Sequence, residues 1–154
     1  AYITPVPGGV GPMTRAMLVT VLYRAAGEPT VTGITNKFTD NKQGQYYYNA
    51  VLWASNMGIV NGATATTFDP DGNITREQIA AMLYRYCGSP AASGSLSAYA
   101  DAASVSAFAS DAMQWCVNNG IINGMDGLLN PQGQATRAQV SAMFARYIRL
   151  AAAK

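Results

Sequence analysis

The sequence predicts an all-α fold: helix–loop–helix repeats in a pseudo-threefold arrangement around a central three-helix cluster, with the first repeat incomplete. Two repetitions carry that prediction. The stretch TRAMLVTVLYRAAG from Thr14 returns as TREQIAAMLYRYCG from Thr75 and as TRAQVSAMFARYIR from Thr136. Upstream, AVLWASNMGIVNG (50–62) returns as AMQWCVNNGIING (112–124). Arg15, Arg76 and Arg137 stand at one constant interval, and Arg24, Arg85 and Arg146 keep the same interval. Repeated units of this kind bury their apolar faces on one another. The expected division is a single domain over 1–154, with a partial unit at 1–30 and full units at 36–88 and 97–150.

The first helix of each full unit is expected over roughly 46–57 and 107–119. Ala50, Trp53, Ala54 and Met57 recur at helical spacing, as do Phe108, Ala112, Trp115 and Cys116. Gly58 and Gly120 follow as stops, where a left-handed residue commonly closes a helix. Loops rich in Gly, Asn, Asp and Pro come next. Thr75 and Thr136 then read as N-caps, and Gln78 and Gln139 complete capping boxes. Thr14 has Met17 in that place, so its unit carries half the device. Apolar stripes follow each cap: Leu18, Val21 and Leu22; Ile79, Met82 and Leu83; Val140, Met143 and Phe144. The polar stretches 27–37 and 88–98 link the units.

Composition narrows the function classes. Hydrophobic residues make up 49% and charged residues 12%, which argues against disorder and for a surface facing neutral polymers outside the cell. A net charge of +2 with no run of like charges leaves no footprint for nucleic acid. No apolar run reaches the about 18 residues of a membrane span, so membrane insertion is not expected. Residues 1–15 lack the basic and apolar regions of a signal peptide, so for a secreted protein the signal is expected to have been removed or to lie upstream. The two cysteines, Cys87 and Cys116, occupy non-equivalent places; packed thiols are favoured over a disulfide. With no histidine there is no usual zinc site, and DPDGN (69–73) lacks the alternating ligands of a calcium loop. No metal or other cofactor is expected. Eight acids and no nucleophile–base arrangement make an enzyme unlikely to be encoded here.

The pattern Phe38-x-Asp40, AVLWASNMGIVNG and TFDPDGNITREQ resembles the S-layer homology module. Tyr99-x-Asp101, AMQWCVNNGIING and LLNPQGQATRAQ match it again. PMTRAMLVTVLYRAAGEP is similar to the closing half of an earlier copy. The resemblance implies a pseudo-trimeric helical domain that anchors extracellular proteins to the bacterial envelope, at the cell wall or surface layer. The implied ligand is a secondary cell-wall polysaccharide carrying an acid, in many relatives a pyruvate ketal. The family's Thr-Arg-Ala-Glu motif supplies a ligand-binding arginine, carried over to Arg76, Arg137 and Arg15. Its glycine turn lines the groove, carried over to Gly58 through Gly62 and Gly120 through Gly124. The motif's final Glu is Met17, Gln78 and Gln139 here.

The chemistry suits an acidic sugar. A guanidinium grips a carboxylate through two parallel N–H bonds. An arginine at a helix start is expected to add free backbone N–H groups and the positive end of the helix dipole. Glycine turns let backbone approach a flat ring. Tyr46, Tyr47, Tyr48 and Phe68 are stacking candidates. Trp53 and Trp115 read as core, with a sugar-stacking edge as the other reading. Asp40 and Asp101 read as loop caps or as polar members of the groove. Arg24, Arg85 and Arg146 lie half a helical turn round from the first arginines and are assigned a structural or surface role. The competing function is a protein–protein assembly module, self-associating through the incomplete first unit, which another chain would complete.

Overall fold

A computed structural model of the chain describes residues 13–152. The opening of the first unit, residues 1–12, lies outside the described residues. Five helices run in chain order: α1 (Arg15–Ala25), α2 (Tyr48–Asn56), α3 (Arg76–Tyr86), α4 (Ser110–Asn118) and α5 (Arg137–Ala152). Short 3-10 turns at Ala102–Ser104 and Ala107–Ala109 lead into α4. Among the described residues there is no β-strand, only three isolated bridges. The fold is all-α.

The helix starts form as their residue types dictate. The Thr75 hydroxyl accepts from the Gln78 N–H at 3.3 Å, and the Gln78 Oε1 accepts from the Thr75 N–H at 2.9 Å. Thr136 and Gln139 repeat the exchange at 3.2 and 3.0 Å. Each box satisfies two donors that a helix start would otherwise leave orphaned. Thr14 accepts from the Met17 N–H at 3.2 Å, and Met17 has no amide to return the bond. At the other ends, α2 and α4 give way to Gly58 (φ 77°) and Gly120 (φ 72°), the left-handed stop that the spacing predicts.

α1 packs along α2, and α3 along α4. The three Thr-led helices meet at their entrances. The Met13 N–H donates to the Ala135 carbonyl (3.0 Å), the Ala135 N–H to Ile74 (2.9 Å), and the Ile74 N–H to Met13 (3.0 Å). These bonds close a ring, and all three side chains are buried within it. Each ring residue is the one before a helix cap, so the ring fixes three helix starts together.

The core runs continuously from this ring through the apolar stripes. Trp53 is 5% exposed and sits between Tyr23 (ring centroids 5.6 Å apart) and Tyr86 (6.0 Å). Trp115 is 7% exposed and packs on Tyr84 at 5.8 Å. Both tryptophans are core residues; neither offers a face for stacking, because neighbouring tyrosines cover them. The buried Glu77 carboxylate accepts from the Ser106 N–H (2.9 Å), the Ser106 hydroxyl (2.6 Å) and the Gln132 amide (3.3 Å). It therefore ties α3 to two segments of the following unit. Cys116 is fully buried, and burial pushes its thiol up to about 12.

Candidate functional site

Two grooves of the same construction flank α3. The first, of about 400 Å³, is lined by Arg15, Asn61, Gly62, Gln78, Arg85 and Phe108 among others. The second, of about 510 Å³, is lined by Arg76, Asn123, Gly124, Gln139 and Arg146 among others. The set Arg–Asn–Gln–Arg around a glycine turn is thus built twice.

The turns are shaped by local bonds. The Ile59 N–H donates back to the Ala54 carbonyl at 2.9 Å, and the Ile121 N–H to Cys116 at 2.8 Å. Gly62 (φ 89°) and Gly124 (φ 76°) close them. A Cβ on Gly62 would stand 2.5 Å from Phe38 Cε1, and one on Gly124 would stand 2.7 Å from Tyr99 Cε1. Glycine is therefore required twice over, by conformation and by space. Gly58 and Gly120 line neither groove and act as helix stops. Across each turn an arginine reaches back: Arg85 Nη1 donates to the Ile59 carbonyl and Arg146 Nη1 to the Ile121 carbonyl, both at 3.1 Å.

The loop opposite is strapped by an aspartate. Asp40 accepts from the N–H groups of Phe68 (2.8 Å) and Asp69 (2.7 Å). Asp101 accepts from Leu129 (2.8 Å) and Asn130 (2.7 Å) and lines the second groove. The Leu129 N–H bond in particular holds the Asp101 carboxyl below its ordinary value, against a smaller upward push from desolvation. Loop capping and groove lining are therefore one role at Asp101, whereas Asp40 caps its loop without lining a groove.

The geometry pairs arginines and turns across units: Arg15 stands beside the Gly58–Gly62 turn, and Arg76 beside the Gly120–Gly124 turn. Each groove is formed between successive units. The reason lies in the helix starts: the Arg15 N–H donates to the Gly72 carbonyl (3.0 Å) and the Ala16 N–H to Pro70 (3.0 Å). The Arg76 N–H likewise donates to Gly133 (3.1 Å) and the Glu77 N–H to Pro131 (3.0 Å). Each helix start is docked on the next unit's loop. The same bonds remove the free N–H groups expected at these starts, so the side chain alone is left for a ligand. Arg137 lines neither groove.

The aromatic candidates also divide. Phe68 is buried against Phe38, with ring centroids 5.6 Å apart, and Tyr47 is buried too. Tyr46 and Tyr48 line a separate cleft beside Arg24. The exposed ring at a groove is Phe108, on the turn before α4; at the second groove its place is taken by exposed Met125 and Leu128. Arg85 and Arg146 have the structural role expected of them, bracing the turns, and they line the grooves as well. A helix standing between two grooves needs one arginine on each face.

The S-layer homology domain family matches residues 37–80 and 98–141. The chain belongs to this family, an extracellular, cell-wall-associated class of module that serves in surface anchoring. It is 32% identical over 143 residues to the "Surface-layer 125 kDa protein" of Lysinibacillus sphaericus, covering 88% of this chain. It is 34% identical over 132 residues to an "Endoglucanase" of Bacillus sp. (strain KSM-635), covering 82% of this chain. The chain spans only 12% and 14% of the lengths of these two relatives. Among the described residues no helix is long and apolar enough to cross a membrane.

Proposed function

We propose that this chain is a non-catalytic anchor that holds an extracellular protein to the bacterial envelope by gripping an acidic wall polysaccharide in its two grooves. The observation that carries this reading is the duplicated set of two arginines, an asparagine and a glutamine around a glycine turn. Arg76 supplies a fork for a carboxylate such as a pyruvate ketal, and Arg15 places a guanidinium at the matching point of the first groove. Arg85 and Arg146 hold the turn in place and present their remaining N–H groups to the same space. Gln78 and Gln139 spend their oxygens on the caps, which leaves their NH₂ groups as donors for hydroxyls. Phe108, Met125 and Leu128 give apolar surface at the rims for the C–H face of a pyranose.

Co-sedimentation with purified cell walls tests it, before and after removal of the non-peptidoglycan polymer. The protein is retained only on walls that keep the polymer. Arg15→Ala combined with Arg76→Ala loses retention while circular dichroism stays unchanged. Wild-type retention by that variant overturns the reading. Retention on stripped walls overturns the reading as well, pointing to the peptidoglycan itself.

A further inference from the structure

Arg15 is already occupied by a carboxylate of its own chain. Its Nη1 lies 2.8 Å from Asp69 Oδ2, with the two side chains 23% and 55% exposed. The equivalent of Asp69 at the second groove is Asn130, and Arg76 forms no ion pair among the described residues. The frames are otherwise alike. Asp69 (φ 60°) and Asn130 (φ 49°) both hold the left-handed conformation, which Asp and Asn adopt more readily than other side chains. Each packs with its arginine over a glycine, Gly72 or Gly133, where a Cβ would collide with both. Backbone demand thus restricts the residue type, and the remaining choice between acid and amide sets the charge.

The other carboxylates do not cancel this difference. Asp101 lines the second groove where Asp40 lines neither, but both of its oxygens are already engaged by the Leu129 and Asn130 N–H groups. Asp126, on the rim of the second groove, is exposed and forms no ion pair with either of its arginines.

We infer that Asp69 and Asn130 differentiate the grooves: the Arg76 groove takes the acidic residue of the polymer, and the Arg15 groove, whose Arg15 is already paired with Asp69, takes a neutral sugar of the same polymer. The inference rests on the proposed function. An acid entering the first groove must displace Asp69 and then lie beside its freed charge. An exposed pair opposes displacement by about fivefold in affinity. Phe108 at that groove offers apolar area, which serves an uncharged ring equally well.

The test is a site-resolved NMR titration of the whole chain. The probe is a methyl glycoside carrying a 4,6-pyruvate ketal, compared with its carboxyl methyl ester. Amide signals of Gly62 and Gly72 report the first groove, and those of Gly124 and Gly133 the second. The acid binds the second groove more tightly than the first, by up to about fivefold. Asp69→Asn strengthens the first groove by that factor and leaves the second unchanged; Asn130→Asp weakens the second. The double exchange reverses the order at constant net charge, which removes overall electrostatics as a cause. Both changes are isosteric, and wild-type amide spectra elsewhere show that the fold is kept. Equal affinities in the wild type, or no response of the first groove to Asp69→Asn, overturn the inference while the anchoring reading stands. Equal binding of acid and ester at both grooves overturns acid recognition itself, and the inference with it.

Discussion

The buried Glu77 and the half-buried Ser106 are joined by two hydrogen bonds, one from the N–H at 2.9 Å and one from the hydroxyl at 2.6 Å. The pair links the first turn of α3 to the segment that carries Phe108 to the first groove. Glu77→Ala leaves the Ser106 N–H and hydroxyl without their acceptor, while the Gln132 amide keeps its bond to the Ser104 carbonyl at 2.6 Å. A loss of about 2 kcal/mol is expected. For a chain of this size that lowers the Tm by about 4–8 °C, measured by calorimetry. The Phe108 ring resonances should shift with it, since the wall loses its tether.

The glycines of the turns separate by what surrounds them. A Cβ on Gly62 meets the carbonyl oxygens of Thr64 (2.7 Å) and Thr67 (2.8 Å) as well as Phe38. Backbone oxygens cannot swing aside, so Gly62→Ala costs about 3 kcal/mol. Gly58 has the same sign of φ, and a Cβ there meets nothing within 4 Å. Gly58→Ala therefore costs only the left-handed penalty, about 1 kcal/mol. Urea midpoints at constant m-value give both numbers.

Asp101 makes the second groove acid-sensitive. Its carboxyl lies below its ordinary value of 3.8 because it accepts the Leu129 and Asn130 N–H bonds. A depressed folded pKa contributes stability that is complete above the unfolded value and is lost as pH falls through the folded one. The strap over 129–130 should hold unchanged down to about pH 4 and release below it. The Leu129 and Asn130 amide shifts, followed from pH 6 to pH 2, should report this release. Asp101→Asn should show the released shifts at every pH.

Cys116 is predicted to be chemically silent in the native state. Its pKa of about 12 leaves almost no thiolate at pH 8, and burial denies access to reagents. Iodoacetamide followed by peptide mass mapping should leave Cys116 unmodified until the chain is denatured.

The parts of the fold written in local sequence were legible there. Thr75 with Gln78, Thr136 with Gln139, and the glycines after α2 and α4 announce themselves within a few residues, because caps and stops are settled by neighbours. The pairing of arginines with turns was not legible. It depends on where the Arg15 and Arg76 N–H groups dock, and their acceptors, Gly72 and Gly133, lie a whole unit downstream. Periodicity reports that units are alike and is blind to which unit embraces which. The structural role assigned to Arg85 and Arg146 is met by their bonds to the Ile59 and Ile121 carbonyls, but their place in the groove walls is not visible from a half-turn offset along the helix. The tryptophans gave no contrary sign: the apolar stripe already placed Trp53 and Trp115 inside.

The closed circuit of Met13, Ile74 and Ala135 has a mechanical consequence. On the proposed anchoring role, load on either groove reaches a clasp that all three segments share. No segment can peel off singly without leaving a buried N–H and a buried carbonyl stranded elsewhere. The holdfast should therefore give way in one step rather than unravel piecemeal.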